Sequence, residues 1–163
     1  MKLLNKFSLG AVSSLLLVFL GLAVLPTAEA FQYSTAVRNA RLDAIESTVG
    51  TTPIARIRTG SVPATCATAD AGTVLATMTL PSDWMSAAAS GVKDKLGTWQ
   101  DTSADATGTA AHYRIYDSAG TTCHIQGTVT ATGGGGDLQL DNTSIAATQS
   151  VTVSTFQITG GNP

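Results

Sequence analysis

Residues 110–130 restrict the fold more tightly than any other stretch of the chain. Tyr113 and Ile115 alternate with His112, Arg114 and Tyr116, and a turn follows at Asp117-Ser118-Ala119-Gly120. Alternation then resumes, with Cys123, Ile125, Gly127 and Val129 on one side and His124, Gln126, Thr128 and Thr130 on the other. A period of two on both arms of a Ser/Gly turn predicts a half-buried antiparallel hairpin. Both histidines and one of the two cysteines fall inside it, so any chemistry should concentrate here.

The rest of the chain is punctuated in the same way. Residues 34–49 predict the single helix: Ser34 or Thr35 can cap its first amides, and Gly50 stands where a left-handed C-cap belongs. Val37, Ala40, Ala44, Ile45 and Thr48 form a broad small-residue face, and Leu42, Ile45 and Val49 form a narrower stripe. A helix this short is marginal alone in water, so the stripe must bury against something. Its position ahead of every strand predicts an assembly element, with Leu42, Ile45 and Val49 as the oligomer interface and a cyclic trimer as the expected symmetry. The alternative is packing on the chain's own sheet.

Strands are expected at residues 54–59, 73–80, 92–100, 138–140 and 151–158, with a one-turn helix after Ser82. A bulge near Ser154 or Thr155 should reconcile Val151 and Val153 with Phe156 and Ile158. Gly133 to Gly136 reads as a hairpin tip, since no strand interior tolerates four glycines. Short strands with frequent turns make the expected fold mainly β: an antiparallel β-sandwich of jelly-roll or Ig-like type preceded by one short α-helix. The expected division is 1–30 signal peptide, 31–52 helix and 53–163 sandwich.

The first thirty residues are unlike the rest. Lys2 and Lys6 precede an apolar run from Phe7 to Leu25, and Ala28 and Ala30 occupy the small positions of a cleavage site. This order predicts a secretory signal peptide cleaved after Ala30 and an exported protein at the periplasm, cell surface or beyond; an uncleaved anchor is the alternative. In an oxidising compartment Cys66 and Cys123 are a candidate disulfide, worth about 4 kcal/mol by loop-closure entropy; two buried thiols are the alternative.

Charged residues make up 12% of the chain and the net charge is −2, which leaves no basic footprint for nucleic acid and no polybasic patch for a membrane surface. His112 and His124 are too few to close a zinc site, and Cys123 beside His124 points away from it in a regular strand. Asp101, Asp105, Asp117, Asp137 and Asp141 fall in turns, where Asp serves the backbone. No catalytic residue, metal site or cofactor is therefore expected, and the chain reads as a non-enzyme. Trp84 and Tyr116 are the aromatics expected to be exposed as a binding face.

Residues 31–50 (FQYSTAVRNARLDAIESTVG), residues 97–142 from GTWQD through the YDSAG turn to the glycine run, and residues 151–159 (VTVSTFQIT) resemble a group of small tailed-bacteriophage and prophage virion-associated proteins. The resemblance implies a decoration, capsid-cement or tail-associated component that acts by protein–protein contacts, and it carries no catalytic motif. It begins at Phe31, so the leader is an addition to it. That addition supports a second reading, an exported surface or periplasmic module that binds a glycan or protein.

Overall fold

The computed structural model describes residues 31–161, so the expected signal peptide lies outside the described residues. Residues from Phe31 onward make one compact unit, and the helix belongs to it together with the strands. Helix α1 (Thr35–Val49) is followed by β1 (Ile54–Arg58), β2 (Val74–Thr79), β3 (Val92–Asp94), β4 (Trp99–Asp101), β5 (Gly108–Thr109) and β6 (His112–Tyr116). Then come β7 (Cys123–Ala131), β8 (Leu138–Leu140), β9 (Ser144–Ile145), β10 (Val151–Val153) and β11 (Gln157–Thr159).

Helix α1 starts and stops where its caps dictate. The Ser34 hydroxyl accepts from the Val37 amide at 3.3 Å, and Gly50, at φ 89°, donates its N–H to the Glu46 carbonyl at 2.9 Å. The main sheet runs β2-β1-β6-β7-β8, and the pairs β10-β4, β11-β3 and β5-β9 form small antiparallel sheets. The predicted hairpin is β6 and β7, in register from His112 opposite Thr128 to Ile115 opposite Ile125.

The protein is mainly β, but several expectations are corrected. The main sheet is mixed, because β8 runs parallel to the end of β7, with Val129 opposite Leu138. Parallel neighbours normally need a long crossover; here residues 132–137 suffice because they contain the glycine run. Gly133 and Gly135 take positive φ, and a Cβ on Gly134 or Gly136 would come within 2.8 Å of Thr130. The run is a tight loop folded on Thr130, whose hydroxyl accepts from the Gly136 amide at 3.0 Å, and is not a hairpin tip. Second, no bulge reconciles residues 151–158. β10 pairs with β4 and β11 with β3, so the strand changes sheets between them. Third, the stretch after Ser82 is extended rather than helical, with Met85 bridged to Lys95.

The core is aromatic at its centre. Trp84 and Trp99 stand 5.9 Å apart between ring centroids, Trp99 and Phe156 5.1 Å, and Phe156 and Tyr113 5.7 Å edge to face. Each indole N–H has a backbone partner, Trp84 donating to the Gly50 carbonyl and Trp99 to that of Leu96, both at 3.1 Å. Trp84 is therefore a core residue, wholly buried where an exposed binding aromatic was expected. Ile57, Met78, Ile115 and Val129 extend the core along the inner face of the sheet.

Candidate functional site

The chemistry-bearing side chains gather on the outer face of the main sheet. In register, β1 places Arg58 beside His112, Arg56 beside Arg114 and Ile54 beside Tyr116. Alternation alone would leave this face to solvent, yet His112, Arg114 and Tyr116 are 0%, 1% and 2% exposed. The cover is a strap, residues 59–73. Its Cys66 is joined to Cys123 in a disulfide with the two Cα atoms 5.1 Å apart. Cys123 points to this outer side because the β6–β7 register shifts beyond Ile115, which turns it away from Ile125. The expected face for Cys123 is thus corrected by an irregularity that period-two reading cannot detect.

Asp70 is the strap's anchor. Its carboxylate receives Arg58 at 2.5 Å, Arg114 at 2.6 Å and the Tyr116 hydroxyl at 2.7 Å. Partial burial pushes the Asp70 carboxyl upward, but Tyr116, Arg114 and Arg58 outweigh it and hold the group below the usual carboxylate range. Arg114 also donates to the Thr65 and Thr68 carbonyls and to Gln126, and Gln126 donates to the Pro63 carbonyl at 2.6 Å. His112 donates through Nδ1 to the Gly60 carbonyl at 3.0 Å, leaving Nε2 buried without a partner among the described residues. Burial, reinforced by the charges of Arg58 and Arg114, lowers the His112 pKa and keeps the ring neutral. Tyr116, expected as an exposed binding ring, is instead buried under the strap with Arg56 stacked 4.7 Å from its centroid.

A second polar junction seats the helix. Lys93, 2% exposed, donates to Asp43 at 2.8 Å and approaches Glu46 at 2.9 Å. Desolvation pushes the Lys93 pKa down, but the hydrogen bonds it donates to Asp43 and Glu46 more than reverse that, and the ammonium is retained. Asn39 and Asp43 accept from the Gly91 and Ala88 amides, and Glu46 from that of Met85. The Leu42/Val49 stripe beside this row is buried at 3% and 5% exposure within the chain itself, and Gly160 packs on Leu42. Leu42 and Val49 are therefore core contacts of the monomer, which removes them as the expected oligomer interface. Ile45 stays half-buried, and the outward side of the helix carries Val37, Ala40 and Ala44.

Ile45 borders an opening with apolar walls. A cavity of about 400 Å³ lies between α1, β7 and β11, walled by Ile45, Tyr113, Ile125, Phe156 and Ile158, with Asp137 and His124 at its polar margins. Gly127 lets Tyr113 and Asp137 pack closely over β7: a Cβ there would lie 2.7 Å from the Tyr113 ring and 2.8 Å from the Asp137 carboxylate. The Thr128 amide and hydroxyl both donate to Asp137 Oδ2 at 2.8 Å and hold that carboxyl below its usual range.

The two histidines are not brought together. His112 is sealed under the strap, and His124 borders the cavity. Among the described residues no group of three or more His, Cys, Asp or Glu side chains is placed to hold a metal ion, and no helix is long and apolar enough to cross a membrane. Asp117 serves its turn by accepting from the Thr121 and Thr122 amides, whereas Asp101 ends β4 and accepts from the Ser103 and Thr77 amides, and Asp105 accepts from the Thr77 hydroxyl. The Asp70 and Lys93 junctions escaped sequence reading. The available signal was Arg56, Arg58 and Arg114 on neighbouring strands, an excess of charge that some loop had to neutralise. Compared with known proteins, the chain matches no family model, no curated protein and no solved structure.

Proposed function

We propose that this protein is a non-enzymatic structural component of phage-like type, a decoration, capsid-cement or tail-associated subunit that works through protein–protein contacts. The observation that carries the reading is the deployment of its ionisable side chains. Asp70, Arg58, Arg114, Lys93, Asp43 and Glu46 are engaged with one another and with backbone groups of the same chain, and a cavity with apolar walls opens beside the strands. An active site needs polar groups aimed at a reacting centre; a contact surface needs an apolar patch with a polar margin. The resemblance over residues 31–159 points the same way, and the curled sheet with its small companion sheets is read as a distorted sandwich.

The Cys66–Cys123 disulfide favours a second reading, an exported surface or periplasmic binding module. Density-gradient fractionation of the producing cells and their lysate, with detection by antibody, separates the two. Co-sedimentation with particles supports the virion component. Recovery in the periplasmic fraction, with none in any particle band, replaces it with the exported module.

A further inference from the structure

We propose that the unpaired edge of β7 beside the Ile45 cavity accepts an added strand: an extended segment of a partner protein, with alternate small apolar side chains and a lysine or arginine at its end nearest Asp137. The proposal rests on the protein-binding reading above and names the surface and the chemistry of its partner.

The hydrogen-bond parity of the hairpin shows which groups are free. The Val129 amide donates to the Ala111 carbonyl at 2.9 Å, so Val129, Gly127 and Ile125 turn their backbone groups toward β6, and Thr128 and Gln126 turn theirs away. β8 pairs only with residues 129–131, and no strand lies against the outer edge of β7 before that point. The outward Thr128 amide is capped by Asp137. The outward amide and carbonyl of Gln126 have no such partner among the described residues. β11 repeats the situation across the cavity. Its Phe156 carbonyl accepts from Lys95 and its Gly160 neighbour donates to Gly91, so Gln157 and Thr159 turn away from β3, the one strand paired with β11 among the described residues.

An unpaired edge bordering an apolar cavity is the arrangement used in strand addition, where main-chain bonds supply affinity and side-chain pockets supply selectivity. Alternate residues of the incoming strand would face Tyr113, Ile125, Phe156 and Ile158. Asp137 receives the Thr128 amide and hydroxyl on Oδ2, so a carboxylate held in its charged form stands at one end of the cavity. Charge complementarity therefore asks for a basic side chain at that end. A second copy of this chain is a poor source. Among the described residues its exposed large apolar side chains are Phe31, Val37 and Leu96, scattered and without an alternating run.

The test is amide NMR on the full, oxidised, isotope-labelled protein with the blocked peptide acetyl-Lys-Thr-Val-Thr-Val-amide. Two control peptides carry Glu for Lys, or Pro for both Thr. The expected result is saturable shifts at Ile125 and Gln126, slowed exchange of the Gln126 amide, and binding of the Pro peptide weaker by about tenfold or more, since it cannot donate to the edge. Asp137→Asn should cut the preference for Lys over Glu by about two- to fivefold, the size of a partly exposed ion pair. Ile158→Lys, at the half-buried rim, should block the cavity while leaving the disulfide and the tryptophan signals unchanged. Absence of any Gln126 response, or equal binding of the Pro peptide, overturns the strand-addition mode. A Gln126 shift that grows with protein concentration alone overturns the choice of partner and assigns the edge to a second copy. A protein found in particles whose Gln126 amide never responds would fail this inference and leave the proposed function intact.

Discussion

Replacing Asp70 by Asn tests whether the strap is an integral part of the fold. The substitution keeps the size and one acceptor oxygen but removes the charge and turns an amide NH₂ toward two guanidinium groups. Arg114 is 1% exposed and Arg58 6% exposed, so neither can recover water without the strap lifting. Breaking one partner of a fully buried ion pair costs about 3–5 kcal/mol. Asp70 is less enclosed, its side chain 34% exposed, and solvent screening reduces the figure to about 2–3 kcal/mol. With Trp84 and Trp99 both wholly buried, intrinsic fluorescence reports global unfolding in urea. For an m-value of about 1–3 kcal/mol/M, the midpoint should fall by roughly 1–2 M. Adding Arg58→Met should recover part of the loss, because it withdraws one of the stranded charges. A midpoint within about 0.2 M of the wild type, a shift of under roughly 0.5 kcal/mol, would refute the reasoning and make the Asp70 cluster an ordinary surface pair.

Five further outcomes follow from the same geometry. The folded-state pKa of His112 lies below its usual 6.5, so the unfolded chain binds the proton more readily; stability should be full above that value and decline as pH falls from 6.5 toward the folded pKa, and His112→Gln should flatten this part of the urea-midpoint profile. The Asp70 contribution has the same sign and is lost further into acid, below the ordinary Asp value of 3.8, as pH falls through its folded pKa. Cys66→Ser with Cys123→Ser should lower stability by about 4 kcal/mol or less and raise hydrogen exchange across residues 59–73 before any other segment. Leu42→Ala should cost about 2–5 kcal/mol in urea without changing the sedimentation coefficient of the folded protein, since Leu42 packs inside its own chain. Gly127→Ala should cost about 1–3 kcal/mol and displace the Tyr113 ring resonances, because the added methyl meets that ring.

Local pattern determined the elements of this protein. Ser34 and Gly50 bound the helix, the alternation in residues 112–116 and 125–131 defines the hairpin, and Asp117 closes its turn on the Thr121 and Thr122 amides. Each of these depends on interactions within a few residues, which composition and spacing record directly. Tertiary structure alone decided which faces are covered. His112, Arg114 and Tyr116 alternate as a solvent face should, yet a strap some fifty residues earlier in the chain lies over them. The helix buries its Leu42/Val49 stripe because Lys93, from a strand it does not adjoin in sequence, draws Asp43 and Glu46 inward. Trp84 looked exposed beside Asp83 because nothing nearby announces that Gly50 offers its indole a carbonyl. Even the four glycines changed meaning, from loose tip to tight parallel crossover, once Thr130 was known to lie against them. Burial depends on contacts between residues far apart in the chain, and a single sequence carries no direct record of those distances.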